Sequence, residues 1–108
     1  MAAAPYSPDA PDRASVDALQ GVVALEFGTD WCGHCRAAQA FLQPALSERA
    51  DITHLRIEDG PGRPLGRSFK VKLWPTLVVL RDGVEVARVV RPESRAAVDD
   101  ALAALAPR

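Results

Sequence analysis

Several features that mark large protein classes are scarce in this sequence of 108 residues. Uninterrupted apolar runs such as Val22–Leu25 and Leu77–Leu80 are far shorter than the roughly 20 residues that a transmembrane helix needs. The formal net charge is only −1, and no basic stripe or acidic tail indicates binding to nucleic acid or to a membrane surface. The length leaves room for one domain. The sequence therefore predicts a single globular domain that binds neither nucleic acid nor membrane.

Cysteine is scarce as well, and Cys32 and Cys35 are the two in the chain. The first residues lack the basic start and the apolar stretch of a secretory signal, which favours a cytoplasmic location if Met1 is the native start. In a reducing compartment a structural disulfide is rare. Two cysteines separated by two residues therefore indicate either catalysis or metal binding.

Local patterns along the chain predict an α/β architecture. Residues 1–12 contain three prolines and few apolar residues, so we expect an irregular N-terminal segment followed by one domain over residues 13–108. Strands and helices then alternate before a hairpin at Asp82-Gly83. This order predicts a central mixed sheet of four to five strands with helices on both faces. The expected helices are Arg13–Gln20, Cys32–Arg49, Pro64–Phe69 and Glu93–Leu105, and the expected strands are Val22–Phe27, Ile52–Ile57, Thr76–Arg81 and Val84–Val90.

Cys32 follows a buried strand and a loop, at the point where a helix begins. Unpaired N–H groups and a partial positive charge at a helix N-terminus stabilise a thiolate, which is the form that attacks disulfides. Cys35 lies one helical turn further on, where its sulfur can attack a disulfide formed on Cys32. The alternative is a zinc site, which needs four ligands, whereas the chain adds only His34 and His54. We expect no metal and no cofactor.

Three segments resemble a known family, in the order in which that family has them. Leu25-Glu26-Phe27 followed by Trp31-Cys32-Gly33-His34-Cys35 resembles the active-site segment of the thioredoxin superfamily, and its Cys-Gly-His-Cys version is similar to that of protein disulfide isomerases. Leu65–Thr76 resembles the second signature of the family, and Asp82–Glu85 resembles its final hairpin. The resemblance covers residues 13–105. It implies the thioredoxin fold and a monomeric enzyme that exchanges disulfides with protein substrates and with an upstream reductase or oxidant.

The resemblance also implies roles for individual residues. Cys32 is expected to be the nucleophile, Cys35 the resolving thiol, and Glu26 and His34 the groups that assist them. Trp74-Pro75 is expected to be a cis bond facing the cysteines, with a trans proline at an edge strand as the alternative. The expected substrate-binding residues are Trp31, Gly33, Trp74, Pro75 and Thr76.

Glu26 lies among the apolar residues Val23, Leu25 and Phe27. Burial raises the pKa of a carboxyl group, so we expect a raised pKa and a role in relaying the Cys35 proton through a water. The alternative is a glutamate at the end of a strand that reaches solvent. His54 has no acidic or sulfur partner near it in sequence, and we expect a structural role for it.

Two positions depart from the family pattern. The chain has Ala40 where many thioredoxins have a helix-kinking proline, so we expect the kink at Pro44 instead. It also has Val90-Arg91-Pro92 where the family often has a glycine. These departures leave the choice of substrate open. The leading hypothesis for the function is a cytoplasmic reductase or redox carrier, and the alternatives are an oxidase or isomerase of exported proteins and a non-catalytic binding subunit.

Overall fold

The helices and strands follow one another in the predicted order in a computed structural model, which describes residues 5–105. Each strand lies within one residue of its prediction, whereas the helices are shorter, because Asp17, Ser47 and Ser68 end the first three and Ser94 caps the last one late. The elements are α1 (Arg13–Asp17), β1 (Val22–Gly28), α2 (Gly33–Ser47), β2 (Ile52–Glu58), α3 (Pro64–Ser68), β3 (Thr76–Arg81), β4 (Val84–Val90), α4 (Arg95–Leu102) and a 3₁₀ turn (Ala103–Leu105).

The sheet has the strand order β2-β1-β3-β4 and confirms the predicted mixed architecture. β1 pairs in parallel with β2 and antiparallel with β3, and β3 pairs antiparallel with β4. β1 is therefore covered by a neighbouring strand on each side, and its residues from Val23 to Gly28 are buried. This position explains why the strand is apolar at nearly every residue.

The two faces of the sheet carry two separate apolar clusters. Because side chains alternate along a strand, Ala24 faces α2 and α4, whereas Val23, Leu25 and Phe27 face α1 and α3. Members of the first cluster include Ala38, Leu42, Leu77, Val79, Val98 and Leu102, and members of the second include Val16, Leu65, Phe69, Val78 and Leu80. Glu26 points to the same face as Ala24, where it is the charged exception.

Local signals in the sequence explain how the elements begin and turn. Cys32 is the N-cap of α2, which confirms the predicted helix start, and the helix continues through Pro44 to Ser47. Asp82 and Gly83 both have positive φ, at 50° and 82°, as the predicted tight hairpin requires. Gly83 is also needed for space, because a Cβ there would collide with the backbone carbonyl of Asp17.

The N-terminal segment, predicted to be irregular, joins the sheet at one point. The Ser7 amide donates to the carbonyl of Arg56, and the Glu58 amide donates to the carbonyl of Ser7, both at 2.9 Å. Tyr6, just before this bridge, is buried. The sequence offers at best a fragment of a further strand at Ala3–Tyr6, and the first two of these residues lie outside the described part of the chain. Between residues 5 and 105, no helix combines the length and the apolar character needed to cross a membrane.

Candidate active site

The two cysteines lie at the start of α2 as free thiols. The Cys35 amide donates a hydrogen bond to the Cys32 sulfur at 3.2 Å, so the sulfur of the first cysteine is held at the helix N-terminus. Cys32 is 7% exposed and Cys35 is fully buried. Cys32 is thus the more accessible of the two cysteines, which agrees with the expected role of nucleophile, although most of it is buried.

Burial raises the pKa of the second thiol, Cys35. Burial comes first among the causes that raise the pKa of Cys35, and the neighbouring Cys32 adds to it, which brings the value to about 12. Opposing effects from the Thr29 backbone and the Tyr6 side chain are smaller. Cys35 therefore needs a route for losing its proton before or while it attacks a disulfide.

Two tryptophans flank the cysteines. Trp31 is 73% exposed, and its ring meets that of Trp74 edge to face, with the centroids 5.7 Å apart. Trp74 packs against the cluster of Tyr6, Cys32 and Cys35, and its indole N–H donates to Asp59 Oδ2 at 2.8 Å. The two tryptophans that were expected to bind substrate therefore lie in contact beside the cysteines.

The loop before β3 contains the Trp74–Pro75 bond, which is cis as predicted. Pro75 and Thr76 are buried, and the Thr76 hydroxyl donates to the Leu73 carbonyl at 2.6 Å within the same loop. Arg91 contacts this loop from the end of β4. Its backbone N–H donates to the Pro75 carbonyl and its side-chain Nε donates to the Trp74 carbonyl, both at 2.9 Å.

Gly33 and His34 are the first two residues of α2 and both are exposed. Exposure at the first turn places the His34 imidazole at the rim of the site rather than between the two sulfurs. Within residues 5–105, no group of three or more His, Cys, Asp or Glu side chains is arranged to hold a metal ion.

Glu26 is fully buried and is surrounded by polar partners, so the alternative of a solvent-reaching glutamate is wrong. His54 Nε2 lies 2.9 Å from Oε1, Gln39 Nε2 donates to Oε2 at 2.9 Å, and the Tyr6 hydroxyl also donates to Oε2. The Arg56 guanidinium lies 3.3 Å from Oε2. We call Tyr6, Glu26, Gln39, His54 and Arg56 the Glu26 cluster.

The expected raised pKa of Glu26 is wrong. Burial is the largest single effect and raises the pKa, but the hydrogen bonds from His54, Tyr6 and Gln39 and the charge of Arg56 together outweigh it. They lower the pKa of Glu26 to about 2, so the carboxylate is ionised at neutral pH. The prediction considered only the apolar neighbours along β1 and missed the partners from other elements.

Tyr6, Gln39, His54 and Arg56 are the residues of this site that sequence reasoning missed. A signal for two of them exists, because the parallel register sets Arg56 beside Glu26 and His54 beside Ala24. His54, for which a structural role was expected, contacts the buried carboxylate of the neighbouring strand. Tyr6 gave no such signal, since it lies in a proline-rich segment far from the cysteines in sequence.

Gly28 ends β1 directly beneath the cysteines. A Cβ at this position would stand 2.6 Å from Cys35 Sγ and 2.9 Å from the Tyr6 hydroxyl oxygen. Only a residue without a side chain therefore lets these two groups converge. The arrangement combines a first cysteine with slight exposure, a fully buried second cysteine and a polar cluster beside the second, which suits a two-step exchange of disulfides.

Comparison with known sequences points to one family. The family model described as Thioredoxin matches residues 12–104. Thioredoxin from Mycobacterium tuberculosis is 32% identical over 77 residues, which cover 70% of this chain and 66% of that protein, slightly less than two thirds of its length. Thioredoxin from Chlamydia pneumoniae is 34% identical over 70 residues, which cover 65% of this chain and 69% of that protein.

Comparison with solved structures confirms the thioredoxin fold. Thioredoxin 2 from Pseudomonas aeruginosa, in its reduced form, superposes with a TM-score of 0.85 at 57% identity, covering 94% of both chains. A thioredoxin variant from Halobacterium salinarum superposes with a TM-score of 0.73 at 26% identity, covering 100% of this chain and 99% of that one.

Proposed function

This chain belongs to the thioredoxin family of thiol–disulfide oxidoreductases, and we propose that it reduces disulfides in protein substrates through Cys32 and Cys35. The observation that carries the proposal is the placement of the two sulfurs. The more accessible one caps α2 and accepts a hydrogen bond from the Cys35 amide, and the buried one lies in the first turn of the same helix. This placement supports Cys32 as the nucleophile and Cys35 as the resolving thiol.

The reaction proceeds in two exchanges. The Cys32 thiolate attacks a substrate disulfide, forms a mixed disulfide and releases one substrate thiolate. Cys35 then loses its proton and attacks the Cys32 sulfur, which releases the second substrate thiolate and leaves a Cys32–Cys35 disulfide. The protein loses two electrons and the substrate gains them, so an upstream reductase must restore the dithiol.

Glu26 and His34 assist these steps in different ways. Glu26 is ionised and does not contact the sulfur, because the Tyr6 hydroxyl that donates to the carboxylate stands beside the buried thiol; we assign Glu26 to relaying the Cys35 proton. His34 stands at the second position of α2, where its backbone N–H is one of the free donors of the helix N-terminus. Donors at this position stabilise the thiolate of the reduced protein.

Substrates dock on the surface formed by Trp31, Gly33 and Trp74, whereas Pro75 and Thr76, expected from the sequence to bind substrate, are buried and support the Trp74 loop from beneath. Trp31 supplies a large exposed apolar ring beside Cys32, and Trp74 extends this surface onto the facing loop. An extended substrate segment lies along the backbone of this loop. The substrate segment contacts Arg91 there, because the Arg91 side chain donates a hydrogen bond to the Trp74 carbonyl.

The proposal extends to the surroundings in which the protein works. It acts as a monomer in the cytoplasm, exchanging disulfides with proteins and with a reductase. A reducing compartment suits this direction, because the glutathione and reductase pools there return the dithiol form. The competing function, oxidation or isomerisation of exported proteins, differs in the reduction potential it requires.

Reduction of insulin by dithiothreitol tests the proposal directly. The unmutated protein is expected to accelerate the precipitation of insulin chains, and Cys32→Ser is expected to abolish the acceleration. Cys35→Ser serves as the matched control, because it should trap a mixed disulfide instead of turning over. A protein without activity in this assay contradicts both enzymatic functions and favours the binding subunit.

Equilibration of the Cys32–Cys35 couple with glutathione then separates the two directions. A potential near that of thioredoxins, about −270 mV, supports the reductase, whereas one near that of disulfide isomerases, about −180 mV, supports the oxidant.

A further inference from the structure

Arg91 follows the end of β4 and covers one side of the loop along which substrates are proposed to lie. Its backbone N–H donates to the Pro75 carbonyl and its Nε donates to the Trp74 carbonyl, both at 2.9 Å. Its φ of 46° is a conformation that residues other than glycine rarely adopt. Two hydrogen bonds therefore hold the guanidinium against the loop.

The hydrogen bonds of Arg91 change what the loop offers to an extended substrate segment. A segment that adds to an exposed backbone as a strand normally uses both a carbonyl acceptor and an amide donor of the receiving chain. Here the Trp74 carbonyl already accepts from Arg91, whereas the Trp74 amide has no hydrogen-bond partner within residues 5–105. The loop thus offers chiefly donors, which are the Trp74 N–H and the N–H groups of the guanidinium beside it.

The terminal nitrogens of Arg91 are available to a ligand. Arg91 is half-buried, and among the residues that the structure describes these nitrogens contact no carboxylate and no carbonyl. Arg88 on the same strand differs, because its Nε and Nη2 both donate to the Glu85 carboxylate. A guanidinium presents its donors in a planar fork that matches the two oxygens of a carboxylate. The group that fits the free side of Arg91 is therefore a carboxylate.

Other side chains around Trp74 add positive charge, although the formal net charge of the chain is −1. Arg67, Lys70 and Lys72 are exposed and form no ion pair within the described part of the chain, and they line an open cleft of about 620 Å³ that reaches Trp74. Asp59, the acid that lines this cleft, accepts the indole N–H of Trp74 and is thus engaged within the protein. A segment lying over the loop therefore meets positive charge from the end of β4 and from this cleft.

From these contacts we infer that Arg91 is a specificity-determining residue, which selects protein substrates with an Asp or Glu residue next to the reacting disulfide. The inference rests on the proposed function and names its substrate class. A substrate carbonyl accepts from the Trp74 amide, and the neighbouring carboxylate accepts from the terminal N–H groups of Arg91. Segments without a carboxylate there gain nothing from Arg91 and compete with it for the Trp74 carbonyl, and basic segments are repelled.

Peptide disulfides that differ in one type of residue test this selection. Each substrate is the disulfide-linked dimer of a blocked pentapeptide Ala-X-Cys-X-Ala, in which X is Glu, Gln or Lys. The reduced protein is mixed in excess with each peptide, samples are quenched in acid at intervals, and the released peptide thiol is measured by chromatography. Every rate constant is divided by that of the same peptide with dithiothreitol, because flanking charges change the reactivity of a disulfide on their own.

The unmutated protein should prefer the acidic peptide. We expect it to reduce the Glu peptide about tenfold faster than the Gln peptide, near the lower end of what a hydrogen bond to a charged group contributes. The Lys peptide should be reduced more slowly than the Gln peptide. Equal corrected rates for the three peptides overturn the inference without any variant. Failure to reduce any of the three contradicts the proposed function instead.

Variants then assign the preference to the guanidinium. Arg91→Met has no donor, so the ratio of the Glu rate to the Gln rate should fall from about tenfold to about twofold, with the remainder due to the charges of the cleft. Arg91→Lys keeps the charge without the planar fork and should show an intermediate ratio, which decides the question if Arg91→Met does not fold. Arg49→Met is the matched control, because Arg49 pairs with Asp51 just beyond the far end of α2, and its rates should equal those of the parent.

Two results with these variants overturn the role of Arg91. One is a ratio that stays near that of the parent in Arg91→Met and Arg91→Lys, which would assign the preference to other charges. The other is a change of the Glu and Gln rates by the same factor, which is what a merely structural role produces.

Discussion

The two faces of β1 differ in what holds them together. On one face, Leu25 and Phe27 pack against apolar side chains from α1 and α3 and need no particular partner. On the other, Glu26 depends on four polar side chains from three other parts of the chain. Apolar packing tolerates exchange of one partner for another of similar volume, whereas a buried charge loses its stabilisation when any partner is wrong.

This difference also explains which parts of the molecule were predictable. The positions of the strands and of the residues in both apolar clusters could be predicted from the periodicity of the sequence. Whether an apolar residue is buried depends on its own side chain and on the face of the helix or strand to which it belongs. The Glu26 cluster depends on register, since His54 and Arg56 reach Glu26 only because β2 lies parallel to β1 with Arg56 beside it. The domain expected over residues 13–108 leaves out Tyr6, which is buried. Its burial is decided by contacts distant in sequence.

The largest expected effect comes from removing the charge itself. Glu26→Ala leaves the partly exposed Arg56 and His54 side chains without their acceptor, so we expect the free energy of unfolding to fall by about 3 kcal/mol near neutral pH, the lower end of the cost of breaking a buried pair. Leu25→Ala on the apolar face is the matched variant and should cost about 2–5 kcal/mol through its cavity. Urea denaturation of both measures the effects. A Glu26→Ala protein as stable as the parent contradicts the view that the cluster stabilises the fold.

The second largest expected effect is on the pH dependence of stability, which should differ between the two faces of β1. The pKa of Glu26 lies at about 2 in the folded protein against an ordinary value of 4.5, so its contribution is complete above about pH 5 and is lost as the pH falls towards 2. The difference corresponds to about 3 kcal/mol. Unfolding free energies measured between about pH 6 and about pH 2 should therefore fall by that much more in the parent than in Glu26→Gln. Leu25→Ala should parallel the parent, and parallel curves for all three proteins would refute the lowered pKa.

Changes at the exposed rim should alter redox properties more than stability. His34→Pro removes both an imidazole and a backbone N–H beside Cys32, and both stabilise the thiolate of the reduced form. We expect the reduction potential to fall by roughly 30 mV, equivalent to about 1.4 kcal/mol. His34→Ala keeps the backbone N–H, so its reduction potential should fall by less. Glutathione equilibration measures both, and an unchanged or higher potential in His34→Pro removes this residue from control of the potential.

The smallest expected effect concerns Arg91. This residue has a φ of 46°, a conformation that favours glycine, and its side chain donates a hydrogen bond to the Trp74 carbonyl. Arg91→Gly should release both constraints and raise kcat/KM for insulin by about twofold to fivefold, the value of one net hydrogen bond. Arg91→Ala frees the carbonyl but keeps the strained backbone, so only the glycine variant should also be more stable. A lower kcat/KM in both variants would show that Arg91 helps substrates to bind.

The identity of the nucleophile tests the account most directly. When Cys35→Ser and Cys32→Ser are each incubated with a disulfide-containing protein and digested, mass spectrometry shows which cysteine carries a substrate peptide. We expect a stable mixed disulfide on Cys32 in Cys35→Ser and almost none on Cys35 in Cys32→Ser, because Cys35 is fully buried and holds its proton with a pKa of about 12. Substrate trapped on Cys35 in Cys32→Ser, with none on Cys32, would contradict the account.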